Sequence, residues 1–217
     1  DYFAKKKNVI GSIPKACILT LAAAGSEMSN TSVVTKDEGM LKRGLSSEYA
    51  YCEFAIMNPE LTYTLPAYQT ASGSSDIILH TLERYFVAPE TKPLALTDML
   101  AASVLKTVMR NCRIALKNPT DYDARAELMW AGTLSHNDIT GDRSFGDWAC
   151  HQLEHELSGM FGIAHGAGLA AIWGTWARYV MDANLERFCK LAVDVFDIPF
   201  NYADPKIGGS TFKKEND

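Results

Sequence analysis

No uninterrupted apolar run in the 217 residues reaches the length a bilayer-crossing helix needs, about eighteen residues or more. The opening DYFAKKKNVIG also lacks the apolar stretch of a secretory signal, so the sequence predicts a cytoplasmic protein with no membrane partner. Cysteine is sparse: the five residues Cys17, Cys52, Cys112, Cys150 and Cys189 are odd in number, widely spaced and form no C-x-x-C. That pattern excludes a disulfide framework and a zinc ribbon and predicts reduced, mostly core thiols. Positive charge is short as well. With a net charge of -5 and a pI near 5.6 there is no basic face to displace phosphate counterions, which excludes nucleic acid. Lys5-Lys6-Lys7 is too short to alter this and reads as a solvated turn. No G-x-G-x-x-G follows a strand-like run, and there is neither an internal repeat nor a low-complexity tract. The sequence opens without a methionine and reads as a portion of a longer chain.

What is present divides into two textures. ACILTLA is a short apolar run and NTSVVTK is rich in β-branched residues, so both predict strands. Gly25, Gly39 and Gly44 punctuate the loops near them. After Pro66 the spacing becomes helical. A first helix is expected from a cap at Ser74 or Ser75, with Ile78, Leu79, Leu82, Tyr85 and Phe86 on its apolar side. LALTDMLAASVLKTVMRNCRIALKN should stop at Asn118-Pro119, and DARAELMWAGTLSHNDIT near Gly141. GDWACHQLEHELSGMFG should start at Ser144 or Asp147 and end at Gly162, before a last pair, GAGLAAIWGTWARYVMDA and LERFCKLAVDVF. The expected organisation is an α/β part over residues 1–65, an all-helical part over 66–203 holding every histidine, and a polar tail over 204–217.

The helical part concentrates metal-ligand chemistry. Asp76 and His80 are four apart, so one helix face carries both a carboxylate and an imidazole. His151 and His155 repeat that spacing, and His165 follows a glycine-bounded turn able to fold it back. Four or five such ligands from two helices is how helical bundles hold metals. A nitrogen and oxygen donor set suits iron(II) or zinc(II) and not calcium. Asp76 lies in an apolar helix pattern, where a carboxylate is costly unless it is paired or binds a cation. His136 falls outside this pattern and reads as a satisfied or exposed histidine. The stretch from His151 to His155 also fits the inverted zincin pattern H-x-x-E-H, with Glu154 as base, but that reading leaves Asp76, His80 and His165 without a task.

Five stretches in order, LTLAAAGSEMSN, FAIMNPELTYTLP, SGSSDIILHTLERYF, MWAGTLSHN and WACHQLEHELSGMFGIAHGAGLA, resemble the iron-dependent (group III) alcohol dehydrogenases. The likeness is strongest to the butanol dehydrogenase and aldehyde reductase branch and runs over about residues 1–203. It implies a truncated dehydroquinate synthase-like fold, an α/β remnant followed by an all-helical domain. It also implies a metal held by Asp76, His80, His151 and His165, with His155 beside it on the proton path. Thr20, Ser26 and Lys42 match the residues that line the family's dinucleotide site, although Ala24 stands where many members carry threonine. The implied reaction is hydride transfer between NAD(P)H and a small alcohol or aldehyde, with iron(II) or zinc(II) as Lewis acid, in a homodimer. Two other readings stand beside it: a helical metal-binding module without dehydrogenase activity, and the inverted-zincin hydrolase.

Overall fold

The computed structural model describes residues 8–86, 94–141 and 148–198. The lysine run at 5–7, the expected caps Ser144 and Asp147, and the tail at 204–217 lie outside them. Four short strands come first: β1 (Ala16–Ile18), β2 (Thr31–Lys36), β3 (Leu41–Ser46) and β4 (Phe54–Ile56). Six helices follow: α1 (Ala67–Phe86), α2 (Ala95–Lys117), α3 (Tyr122–His136), α4 (Ala149–Phe161), α5 (His165–Val180) and α6 (Leu185–Phe196). The last of these strands ends at Ile56 and the first of these helices begins at Ala67. None of the described helices is long and apolar enough to cross a membrane.

Strands β1 and β4 pair in parallel with Cys17 opposite Ala55, while β2 and β3 form an antiparallel hairpin with Thr35 opposite Lys42. The hairpin lies on α4 so closely that a Cβ at Gly159 would come within 2.7 Å of the Met40 carbonyl.

Helix α1 is the axis of the helical part. It supplies Ile77 to a cluster with Val104, Val108 and Leu128, Leu82 and Tyr85 to one with Leu105, Leu191 and Val195, and Leu79 to one with Cys150 and Leu169. A helix that is covered on nearly all sides must be small where its neighbours press hardest. That requirement explains why it does not start at Ser74 or Ser75. The helix begins at Ala67, and both serine hydroxyls lie inside it, donating to the Thr70 and Ala71 carbonyls at 2.9 and 3.0 Å. The run SGSS looks like a turn by composition. It is instead a contact surface: a Cβ at Gly73 would meet the Ala22 carbonyl at 2.3 Å.

Other helix ends follow their local chemistry. Asn118, held extended by the proline after it, stops α2. The Asp121 carboxylate accepts from the Ala124 amide at 3.0 Å and caps α3. Helix α3 ends at His136, short of Gly141, because Asp138 turns the chain with φ of 71°. Gly162 closes α4 at φ of 64°, a left-handed conformation natural to glycine.

Helix α6 is tied down by charge. Arg187 grips Asp98 of α2 with both guanidinium ends, at 2.8 and 3.0 Å, donates to the Tyr85 carbonyl at 2.6 Å and stacks over the Tyr85 ring. Both members are buried.

Two stability outcomes follow from this packing. Gly166→Ala puts a Cβ within 1.8 Å of the Ser72 carbonyl, so α5 must lift from α1. Urea unfolding should show a loss of about 3 kcal/mol or more, whereas Gly174→Ala, which meets only the mobile end of Arg178, should be nearly silent. Asp98→Ala strands a buried guanidinium and should cost about 3–5 kcal/mol, with much of that recovered when Arg187→Met is added, as a double-mutant cycle will read.

Candidate metal centre

Asp76 sits midway along α1 with its side chain 4% exposed, and its Oδ1 makes no hydrogen bond. Three imidazoles converge on that oxygen. His80 Nδ1 stands 3.3 Å away, and His151 Nε2 and His165 Nε2 each 3.7 Å away. The latter gaps are too long for hydrogen bonds. His80 Nδ1 and His151 Nε2 are themselves buried and unpartnered. A buried carboxylate oxygen facing ring nitrogens at these separations is unsatisfied by protein alone, and one first-row divalent ion would satisfy the group. The donor set therefore fits the metal that the sequence implies.

Local sequence brings the donors together. The helical repeat puts His80 one turn beyond Asp76. His151 lies in the first turn of α4, and the Gly162 turn reverses the chain so that His165 opens α5 facing the same oxygen. Asp76, His151 and His165 offer ligand atoms all within 4.8 Å of one another. His80 borders this trio, its ring centroid 4.5 Å from that of His151.

Electrostatics separates the histidines. Burial first, then the neighbouring imidazoles of His136, His151 and His165 and the Arg84 guanidinium, hold the His80 pKa well below its ordinary value. At His151 burial also opposes charge, but the nearby carboxylates of Asp76 and Glu83 outweigh it and push the pKa up to about 9. A proton and a metal ion thus compete for this residue. His155 is pushed down to about 4, by burial and then by the Lys42 ammonium. It is neutral at physiological pH, half-buried, and its ring lies 5.5 Å from that of His165.

Lys42 reaches from β3 into this site. Its ammonium donates to Ser158 Oγ at 2.7 Å and to Glu154 Oε2 at 3.4 Å, and stands 3.4 Å from His165 Nδ1. Glu154, His155 and His165 form a second group with metal-like spacing, but the lysine already supplies positive charge there, which disfavours a second cation. Glu154 is fully buried. Burial alone would raise its pKa, yet the hydrogen bond and charge of His165, with Lys42, hold it below the usual range. An inverted-zincin base must meet water, and this carboxylate is turned to His165 and Lys42. Thr20 and Ser26 lie exposed in the segment between β1 and β2.

Three neighbours of the site carried no role at the metal in the sequence reading. Glu83 contacts His151 Nδ1 through Oε2 and accepts from the Cys150 amide at 2.7 Å through Oε1. Its signal was present in D-x-x-x-H-x-x-E, one turn after His80. Glu154 contacts His165 Nδ1. His136, read as lying outside the pattern, has its ring 4.2 Å from that of His80 and its Nδ1 3.4 Å from Arg84, with its pKa pushed down to about 4, chiefly by burial. Trp148 closes this side edge-on, 5.2 Å from His151.

Residues 70–214 match the model of the Fe-containing alcohol dehydrogenase family, C-terminal. The probable NADH-dependent butanol dehydrogenase 2 of Bacillus subtilis is 38% identical over 198 residues, 91% of this chain and 50% of the relative. The NADPH-dependent aldehyde reductase YqhD of Escherichia coli is 34% identical over 210 residues, 97% of this chain and 54% of the relative. The crystal structure of NADH-dependent butanol dehydrogenase A from Thermotoga maritima matches with a TM-score of 0.88 at 35% identity, covering 93% of this chain and 50% of that one. The chain spans about half the length of the curated relatives it matches. On this fold and these relatives, the chain belongs to the Fe-containing alcohol dehydrogenase family.

Proposed function

We propose that the chain carries the metal-holding part of an NAD(P)-dependent alcohol dehydrogenase or aldehyde reductase acting on small alcohols and aldehydes. The observation that supports this best is the unpartnered Asp76 Oδ1 facing the nitrogens of His80, His151 and His165. These four residues would hold iron(II), or zinc(II), which the same donors accept. When bound, the ion supplies Lewis acidity toward a carbonyl oxygen. The protein side contributes orientation and proton management. His151 is buried and His165 is 27% exposed on its side chain, so access is from the His165 side. His155 lies on that side, and a neutral imidazole passes a proton from one nitrogen to the other without keeping charge. In the reduction, an aldehyde, NAD(P)H and one proton give an alcohol and NAD(P)+, with the hydride leaving the nicotinamide and the proton arriving by way of His155. Thr20, Ser26 and Lys42 are assigned to the cofactor, and Lys42 also stands beside Glu154 and His165. We place the protein in the cytoplasm, as a homodimer.

A second reading has its own support. The chain covers half of its relatives, and its sequence holds no glycine-rich phosphate loop after a strand. A helical metal-binding module without turnover would look the same.

Metal analysis of the purified 217-residue chain, with NADH or NADPH oxidation by butyraldehyde, tests both readings. The wild type should retain about one equivalent of iron or zinc through gel filtration. His165→Ala should lose it. His155→Ala should keep the metal and lower kcat by about a hundredfold or more. Stoichiometric metal without cofactor binding or turnover selects the metal-binding module. Metal retained by His165→Ala and lost by His155→Ala overturns the ligand assignment.

A further inference from the structure

Two of the four donors share a feature that none of the ligand assignments explains. His151 and His165 come from different helices, yet each turns its Nδ1 onto a buried glutamate, Glu83 for His151 and Glu154 for His165. Each also points its Nε2 at Asp76 Oδ1. An ionised carboxylate has no proton to give, so in both pairs Nδ1–H donates and the glutamate oxygen accepts. A neutral imidazole with its hydrogen on Nδ1 has its lone pair on Nε2, where a metal ligand needs it.

Each carboxylate is held in its turn. The second oxygen of Glu83 accepts from the Cys150 amide at 2.7 Å, next to His151 in the chain. Glu154 has Lys42 at 3.4 Å, and the packing around it is tight: a Cβ at Gly168 would lie 2.8 Å from Glu154 Cγ. Both glutamate side chains are essentially inaccessible, at 1% and 0% exposed. Burying two carboxylates beside a third is costly unless each is hydrogen-bonded, and the imidazoles are the partners that make it tolerable.

We propose that Glu83 and Glu154 are paired positioning residues. Each fixes the tautomer and ring angle of one metal-directed histidine, and Lys42 serves as the charge partner that seats Glu154. The assignment rests on the metal reading of the Asp76 cluster. It gives the glutamate of H-x-x-E-H a task different from a hydrolytic base, and it gives Lys42 a task at the metal side of the chain.

The test uses the full 217-residue chain, stripped of metal and titrated with zinc against a chromogenic chelator. Nitrogen-15 NMR of the imidazoles runs in parallel. In the zinc-loaded wild type, His151 and His165 should both show a slowly exchanging Nδ1–H. Glu83→Ala should lose the His151 signal alone and Glu154→Ala the His165 signal alone, each with zinc affinity about 10–100-fold weaker. Glu83→Gln and Glu154→Gln keep an acceptor oxygen and should recover part of both losses, which general destabilisation would not explain. Lys42→Met should weaken zinc binding less than Glu154→Ala and leave the His151 signal intact. A wild type that takes up no zinc overturns the metal reading itself. A wild type that binds zinc no more tightly than the two alanine variants, or alanine variants that keep both Nδ1–H signals, overturns the glutamate assignment while leaving the metal reading standing.

Discussion

Asp76 places a carboxylate inside the most enclosed of the described helices, and much of the surrounding structure can be read as compensation for it. A charge withdrawn from water must find opposite charge or donors nearby. The chain brings three imidazole nitrogens to one oxygen, from α1 itself, from the start of α4 and from the start of α5. That convergence is possible only because α5 can approach α1 at Gly166, where there is no room for a side chain. Helix packing and donor placement are therefore one problem solved by the same residues.

The layout around this charge alternates acceptors and donors. Moving outward along one line from Asp76 come His165, Glu154 and Lys42, and along another His151 and Glu83. Each group has a partner of the opposite character, so two further carboxylates are accommodated without bulk water. Away from these lines, Arg187 and Asp98 repeat the principle without any metal-like geometry. A buried ion pair alone is thus a poor sign of function in this fold. What distinguishes the Asp76 cluster is that its unpartnered atoms, Asp76 Oδ1, His80 Nδ1 and His151 Nε2, face one another.

The sequence made the candidate donors legible because their signal was local, while the choice of His165 over His155 came from the family resemblance. Four-residue spacings on helices, and a glycine turn before His165, are short-range properties that propensity and periodicity capture. The start of α1 was misread for the opposite reason. SGSS has the composition of a turn, and only the carbonyl of Ala22, supplied by a segment distant in sequence, shows why a small residue is needed at Gly73 inside the helix. His136 was set aside because no spacing links it to His80. Their rings meet through the packing of α3 on α1. The bonds from the glutamates to the histidines were not foreseen because the partners lie 68 and 11 residues apart, and no periodic pattern announces a hydrogen bond across helices.

Lys42 has a consequence beyond its own contacts. It is carried by the β2–β3 hairpin, and Arg43 beside it adds a 2.7 Å contact to Glu156 of α4. The hairpin is thereby fastened to the same helix that presents His151 and, through Glu154, to His165. Linkage of this kind is reciprocal: whatever free energy an occupant of the histidine cluster lends to the seating of the hairpin, a seated hairpin returns to that occupant in equal amount. A small ribbon of strand, marginal by itself, thus shares its stability with the chemistry at the head of two helices.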